Sequence, residues 1–253
     1  MNWFVVPSLG GLGTRSNEGY RLKAGLRTAH RPIFASASKS LLVRALLPFW
    51  VLALSFATVA ASQPQIGPSG DAATRSYSEG PLKLDDFQAS PPSDTGGLDA
   101  VTTSDVRFNY SYQARSTRGR ATAYATELTI DAVVIPSKSW IRLRSDARLM
   151  DHEQGHFDIT YIAALRARVE AAKLAKKGQR FIATGASPKA AIDLLGKKVQ
   201  RFVQPFIDAA KARQREYDVL TKHGRVRTAQ AGQRREQIET IKSLSEELKR
   251  IDR

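Results

Sequence analysis

Two histidines four residues apart, with a carboxylate next to the first, form the segment of this chain that is best suited to chemistry. The sequence His152-Glu153-Gln-Gly-His156 places both rings on one face of an α-helix, where they can reach the same metal ion. Glu153 is turned about 100° from His152, which favours a general base over a third ligand. The spacing therefore predicts a zinc site that activates a water molecule for amide hydrolysis.

A third metal ligand must come from elsewhere, because catalytic zinc commonly has three protein ligands and one open position. His223 is the first choice, since the remaining histidine, His30, lies in a segment that we expect to be removed. Asp218 is the alternative, either as the third ligand or as a residue that orients a ligand histidine. Among the other acids, Asp193 and Asp208 can also serve, whereas Asp158 and Glu170 are weaker choices.

Tyr217 immediately precedes Asp218 and lies within two helical turns of His223. Its hydroxyl could donate a hydrogen bond to the oxyanion that develops during hydrolysis, so we predict a catalytic role. The alternative is an aromatic ring that simply packs at the end of a helix.

Helix signals predict how these residues are positioned. Ser145 or Asp146 can cap the metal helix, and Gly178 can end it. A second long helix is predicted to begin at Ser187-Pro188 and to carry the third donor at its end. Residues 229–253 have apolar side chains at spacings of three and four, which predicts an amphipathic helix that either self-associates or packs on its own domain.

Alternating apolar and polar residues predict two strands ahead of the metal helix, from Val106 to Tyr112 and from Tyr124 to Val134. Pro136 should end the second strand, because proline cannot donate to a ladder. The expected fold class is α+β, in which a small antiparallel sheet packs on long α-helices, one of them a zincin-like metal helix.

The first 61 residues predict an export signal with a long basic extension. The apolar run from Ala45 to Ala60 is shorter than the roughly 20 residues of a membrane-spanning helix, and it ends in small residues near Ala61. The protein should therefore be periplasmic or secreted, with a membrane anchor only if this segment is not cleaved. The predicted parts that follow are a flexible linker at 62–81, a metallopeptidase domain at 82–228 and a charged amphipathic helix at 229–253.

Composition excludes several kinds of site. The chain has no cysteine, so disulfides, thiolate metal sites and cysteine nucleophiles are excluded. The formal net charge is +15, but beyond residue 61 basic and acidic residues are interspersed, which is typical of a solvated surface. We therefore expect no nucleic-acid partner.

These motifs together resemble a family of exported bacterial proteins of unknown function that are described as predicted secreted zinc-dependent proteases. The resemblance covers about Leu82 to Gln233, although Leu84 stands where the family tends to have tryptophan, and Leu220 where an acid often precedes the threonine. It implies zinc at His152 and His156, Glu153 as the base, and no particular substrate. The motifs that carry it are Leu84-Asp-Asp-Phe-Gln88, Ser139-Trp140, His152-Glu-Gln-Gly-His-Phe-Asp-Ile159, and Tyr217-Asp218 with Thr221 and His223-Gly224.

The leading hypothesis is an exported zinc metallopeptidase that cleaves a peptide or protein substrate through a zinc-bound water activated by Glu153. The alternative is a metal-binding envelope protein without turnover, which keeps the site for stability. A third hypothesis is a basic protein that binds nucleic acid or anionic lipid, and it predicts salt-sensitive binding that is independent of His152.

Overall fold

The computed structural model describes residues 73–143 and 146–253. The predicted export signal, the first part of the predicted linker and the cap candidate Ser145 lie outside these residues. The strands are β1 (Arg75–Ser76), β2 (Ala100–Val101), β3 (Ser104–Thr117), β4 (Arg120–Val134), β5 (Trp140–Ile141) and β6 (Ile182–Gly185). The helices are α1 (Ala147–Lys176), α2 (Pro188–Thr221) and α3 (Arg227–Ile251).

The long hairpin β3–β4 confirms the alternation that predicted it. Its two turn residues, Arg118 and Gly119, have φ values of 49° and 77°. Positive φ at both central positions matches the tight turns whose twist suits a hairpin. Val106, Phe108 and Tyr110 of β3 are buried, while their neighbours face away from the core. The hairpin therefore presents one apolar face to the helices.

Strand β4 is the centre of the main sheet. It pairs with β3 along one edge, and with β1 and β6 along the other, always antiparallel. The sequence did not predict β6, whose register places Ile182 opposite Tyr124. A separate two-stranded sheet joins β2 to β5, with Val101 opposite Trp140. Strand β4 ends at Val134, just before Pro136, as expected.

The helices begin where their sequence signals predicted. The Asp146 side chain accepts hydrogen bonds from the backbone of Arg148 and Leu149 at 2.9 and 3.2 Å, so it caps α1. Ser187 caps α2 and Pro188 occupies its first turn. Helix α3 packs against α1, which agrees with the second of the two alternatives for residues 229–253. None of the helices within the described residues is long and apolar enough to cross a membrane.

Helices α1 and α2 cover the apolar face of the sheet. Phe157, Leu195 and Val203 are among the side chains that are essentially inaccessible to solvent there. This arrangement confirms the predicted α+β class, with small antiparallel sheets packed on long helices. It also brings the first half of α1 beside the end of α2.

Ordered contacts begin earlier than we expected. Residues 73–81 were assigned to a flexible linker, yet Arg75 and Ser76 pair with β4. Tyr77 stacks on Tyr161 of α1 with ring centroids 3.8 Å apart. This aromatic contact and the strand pairing fix a segment whose Gly, Ser and Pro content had indicated a linker.

Candidate metal centre

The two histidines of α1 point their Nε2 atoms toward each other and are largely shielded from solvent. The Nε2 atoms of His152 and His156 lie 3.3 Å apart, and the rings meet edge to face. The side chain of His152 is 3% exposed and that of His156 is 13% exposed. The predicted one-turn spacing therefore brings both nitrogens to one point in a largely buried position.

Asp218, near the end of α2, lies at the same point. Its Oδ1 atom is 3.2 Å from His152 Nε2 and 3.0 Å from His156 Nε2. Burial raises the pKa of Asp218, but the hydrogen bonds from the two rings outweigh burial and hold the pKa well below its usual value. For His156 burial acts in the opposite direction and lowers the pKa, since it also disfavours the charged form. The hydrogen bond to Asp218 and the nearby carboxylate of Glu153 outweigh burial, so the pKa of His156 is raised overall. The site thus contains a carboxylate that stays ionised.

His223 reaches the site through an unusual turn. Lys222, His223 and Gly224 follow α2 with φ values of 49°, 53° and 78°. Left-handed backbone is costly for residues other than glycine and persists only where the surroundings enforce it. Thr221 contributes here, because its buried hydroxyl donates to Tyr217 O and accepts from Gly224 N. The turn places His223 Nδ1 3.3 Å from Asp218 Oδ1.

These distances fit a tetrahedral metal ion. Around zinc with bonds of about 2.0–2.1 Å, neighbouring ligand atoms lie roughly 3.3 Å apart. His152, His156 and Asp218 form a triangle with edges of 3.3, 3.2 and 3.0 Å, which matches one face of such a tetrahedron. The ligand atoms of His152, Asp218 and His223 all lie within 4.8 Å of one another. Nitrogen and oxygen donors of these types suit zinc.

Glu153 lies beside the donors, as its position on α1 predicted. The residue is 2% exposed, and its Oε2 atom has no hydrogen-bond partner among the described residues. It also lines the cleft that contains His152, His156, Asp218 and His223. A buried carboxylate oxygen without a partner is costly unless a ligand or water engages it. Glu153 is therefore placed to accept a proton from a molecule in the cleft.

Tyr217 occupies a different place from the one we predicted. Its ring stacks on the His152 ring with centroids 4.8 Å apart, and the residue is fully buried. A Cβ atom built on Gly155 would lie 2.6 Å from Tyr217 Cζ and closer still to the hydroxyl. The hydroxyl therefore faces the backbone of α1, and Tyr217 does not line the cleft. This geometry does not suit an oxyanion donor. The Tyr217 ring instead packs on the His152 ring and holds its orientation.

Four other acids that we considered lie away from the donors. Asp193 pairs with Lys189 on the exposed side of α2, and Asp208 accepts a hydrogen bond from Gln204. On α1, Glu170 pairs with Lys173. Asp158 is buried in an ion pair with Arg234 of α3 and faces away from the histidines. The choice of a third ligand is therefore between Asp218 and His223.

The cleft at the donors has a volume of about 240 Å³. Residues 98–102, which include β2, line it together with the α1 donors, Gln214 and Arg225. A larger cavity of about 650 Å³ lies between β4 and the C-terminal half of α1, but none of the metal donors lines it. The candidate metal centre therefore opens into the smaller cleft.

Several supporting residues were missed from the sequence. Arg148 Nη1 donates to Gly224 O at 2.7 Å and ties the start of α1 to the His223 turn. A Cβ atom at Gly224 would lie 3.0 Å from His152 Cβ, so glycine permits the turn to approach the ligand. Gln230 of α3 is buried against Gly224 and Arg148. The glycine after His223 was the one available signal, because glycine is typical of left-handed turns at helix ends.

Comparison with known proteins adds a family but no activity. No curated protein and no solved structure matches the chain. Residues 83–224 match the family described as "Bacterial protein of unknown function (DUF922)". The matched span contains every donor of the candidate metal centre, from His152 to His223. Because it covers more than half of the 253 residues, the chain belongs to this bacterial family.

Proposed function

We propose that this protein is an exported zinc-dependent peptidase with a zincin-like metal helix. The observation that carries the proposal is the convergence of His152, His156 and Asp218 at distances of 3.0–3.3 Å, beside the buried and unpartnered carboxylate of Glu153. The resemblance to predicted secreted zinc-dependent proteases supports the same conclusion.

The residues of the cleft divide the work of amide hydrolysis. Bound zinc supplies a Lewis acid that polarises a carbonyl oxygen and lowers the pKa of water to about 7. Glu153 accepts a proton from water in the cleft and returns it to the leaving amine. His152, His156 and Asp218 would hold the ion. Asp218 is preferred over His223 because its Oδ1 atom lies 3.2 and 3.0 Å from the Nε2 atoms of the two α1 histidines, close to the spacing of two ligands on one zinc ion. His223 is 47% exposed and lies at the edge of the site.

A peptide or protein is the substrate class that suits this machinery, and nucleic acid is not proposed as a partner. Export is proposed from the apolar segment before Ala61, which would place the enzyme in the periplasm or outside the cell. A membrane anchor follows only if that segment is retained.

Replacing the proposed base tests turnover separately from metal binding. We expect Glu153→Gln to keep about one zinc per chain while peptide cleavage falls by roughly 10²–10⁴-fold, the usual contribution of a general base. Glu170→Gln, on the exposed side of the same helix, is the matched control and should cleave normally. Cleavage of a peptide library and bound zinc are measured on residues 62–253. A protein that holds no zinc would end the proposal.

The third ligand is identified by comparing two alanine variants. Asp218→Ala should weaken zinc binding by more than the roughly 10–100-fold that loss of an outer partner costs, because it removes a ligand. His223→Ala should cost less, because the His223 side chain is 47% exposed and its Nδ1 atom lies beside Asp218 Oδ1, at 3.3 Å. Zinc dissociation constants measured by competition with a chelating dye give the order. A larger loss in His223→Ala would assign His223 as the ligand instead.

A metal-binding envelope protein without turnover is the second candidate, and the number of donors favours it. His152, His156, Asp218 and His223 are four, and zinc with four protein ligands is typical of structural sites that have no open position. This candidate expects zinc to raise the melting temperature of the wild type and of Glu153→Gln equally, with no peptide cleaved by either.

A further inference from the structure

The face of α1 opposite the metal donors is polar and packs against α3, with Asp158 buried and Asp151 exposed. Asp151, Gln154 and Asp158 follow a helical spacing of three and four, and at 100° per residue their centre lies about 150° from that of His152 and His156. Asp158 is only 2% exposed. Burying a carboxylate is costly unless it is paired, so this face must have specific partners.

Arg234 of α3 is the partner that joins the two carboxylates of this face. Its Nε atom donates to Asp151 Oδ1 at 3.1 Å, and its Nη1 atom donates to Asp158. The two acids are two helical turns apart, and the Arg234 side chain is 13% exposed. One guanidinium thus contacts α1 just before His152 and just after His156, on the side of the helix that faces away from both histidines.

Gln230, one turn earlier on α3, extends this contact to the turn at residues 222–224. Its amide donates to Asp151 Oδ2 at 2.6 Å and to Arg148 O at 3.1 Å. It also packs on Gly224, which touches His152. The two residues of α3 that are buried are both glutamines, Gln230 and Gln237. Directional polar contacts therefore contribute much of the attachment of α3 near the site.

We infer that α3 completes the metal centre, and that Arg234 is a positioning residue that fixes the rotation of α1 so that His152 and His156 face Asp218. Hydrogen bonds are directional, whereas apolar burial is not, so these contacts select one rotation of the helix. A buried ion pair adds little net stability relative to apolar packing, which leaves orientation as its main effect. Helix α3 lies beyond the span 83–224 that matches the family, although every donor lies within it.

The inference rests on the metal site of the proposed function and not on hydrolysis, so it is tested by zinc binding. Arg234→Lys keeps the charge but cannot span both acids, because an ammonium is a point donor. Arg168→Lys is the matched control: Arg168 also joins α1 to a neighbour, Asp131 of β4, but lies three turns beyond His156. We expect Arg234→Lys to raise the zinc dissociation constant about 10-fold or more, and Arg168→Lys to leave it within about 2-fold.

Melting temperatures without zinc separate positioning from general destabilisation. If the two lysine variants lose similar melting temperature and only Arg234→Lys loses zinc affinity, the positioning role is supported. The absorption spectrum of bound cobalt should also change in Arg234→Lys, because it reports ligand geometry. Unchanged affinity and spectrum in Arg234→Lys would overturn the inference. A wild type that binds zinc without cleaving peptides would refute the peptidase alone, because no step of this test measures cleavage.

Discussion

At the scale of single residues, the proposed role of each side chain depends on whether its polar atoms point into the cleft. The spacing of His152, Glu153 and His156 could be recognised from the sequence, because a helix fixes the relative directions of residues one and four apart. The part of Tyr217 could not, since nothing in its type distinguishes a hydroxyl in the cleft from one against Gly155. Gly155 leaves the space that the Tyr217 ring occupies against α1.

The contact between Gly155 and Tyr217 makes a prediction about stability. Alanine is normally favoured over glycine inside a helix by about 1 kcal/mol. At position 155 its methyl group would meet the Tyr217 ring at 2.6 Å in a fully buried place, so we expect Gly155→Ala to lower the free energy of unfolding by about 1–3 kcal/mol.

Gly232 supplies the control for this change. A Cβ atom at Gly232, within α3, would have no heavy atom within 4 Å, so Gly232→Ala should stabilise by roughly 0.5–1 kcal/mol. Urea unfolding of both variants measures the difference. Stabilisation by Gly155→Ala would contradict the packing described for Tyr217.

At the scale of elements, helix ends decide where the donors lie. The start of α1 at Asp146 and its stop before Gly178 were readable, because capping residues and glycine act locally. Strand β6 could not be predicted in this way. Its four residues are extended because they pair with β4, and β4 is too far away in the sequence for a local pattern to reveal the pairing. The turn after α2 was foreseen only as a helix end, and its three left-handed residues depend on tertiary contacts from Arg148.

The cap of α1 predicts a dependence of stability on pH. Burial raises the pKa of Asp146, but backbone bonds at Leu149 and the Arg148 guanidinium outweigh burial and lower the pKa below its ordinary value of 3.8. A depressed pKa means that the charge stabilises the folded state above pH 3.8 and that this contribution is lost as the pH falls through the folded value.

Asp146→Asn separates the charge from the cap, because asparagine caps about as well as aspartate. We expect it to cost a few tenths to about 1 kcal/mol at pH 7, and this difference from the wild type to shrink below pH 3.8. Asp146→Ala should cost about 1 kcal/mol more at pH 7, through loss of the cap. Chemical unfolding at several pH values tests both. If Asp146→Asn costs the same free energy of unfolding at pH 7 and at about pH 3, the charge of Asp146 does not stabilise the fold.

At the scale of the whole molecule, segments from before and after the family span enclose α1. Tyr77 precedes residues 83–224, and Arg234 follows them. The sequence indicated a core beginning near Leu82 and a separate charged helix, because composition cannot reveal that Tyr77 and Arg234 meet the same carboxylate. That carboxylate, Asp158, accepts from Tyr77 Oη at 2.9 Å and from the Arg234 guanidinium.

The N-terminal contact can be tested through Tyr77. Tyr77→Phe keeps the ring on Tyr161 but removes the bond to Asp158, and a hydrogen bond to a charged group is worth about 1.5–3 kcal/mol. We expect a loss of that size in the free energy of unfolding. Tyr112→Phe is the control, since no hydrogen bond of its hydroxyl is seen among the described residues and its loss should be small. Equal stability of Tyr77→Phe and the wild type would show that the bond from Tyr77 to Asp158 does not stabilise the fold.

The meeting of Tyr77 and Arg234 on one buried carboxylate also bears on the order of folding. The two residues are 234 − 77 = 157 positions apart in the sequence, so their contacts with Asp158 are non-local. Non-local contacts must first overcome the entropy of closing a long loop, and they form more slowly than the turns of a helix. We therefore expect α1 to form early and to reach its final rotation only when both flanking segments have docked on it.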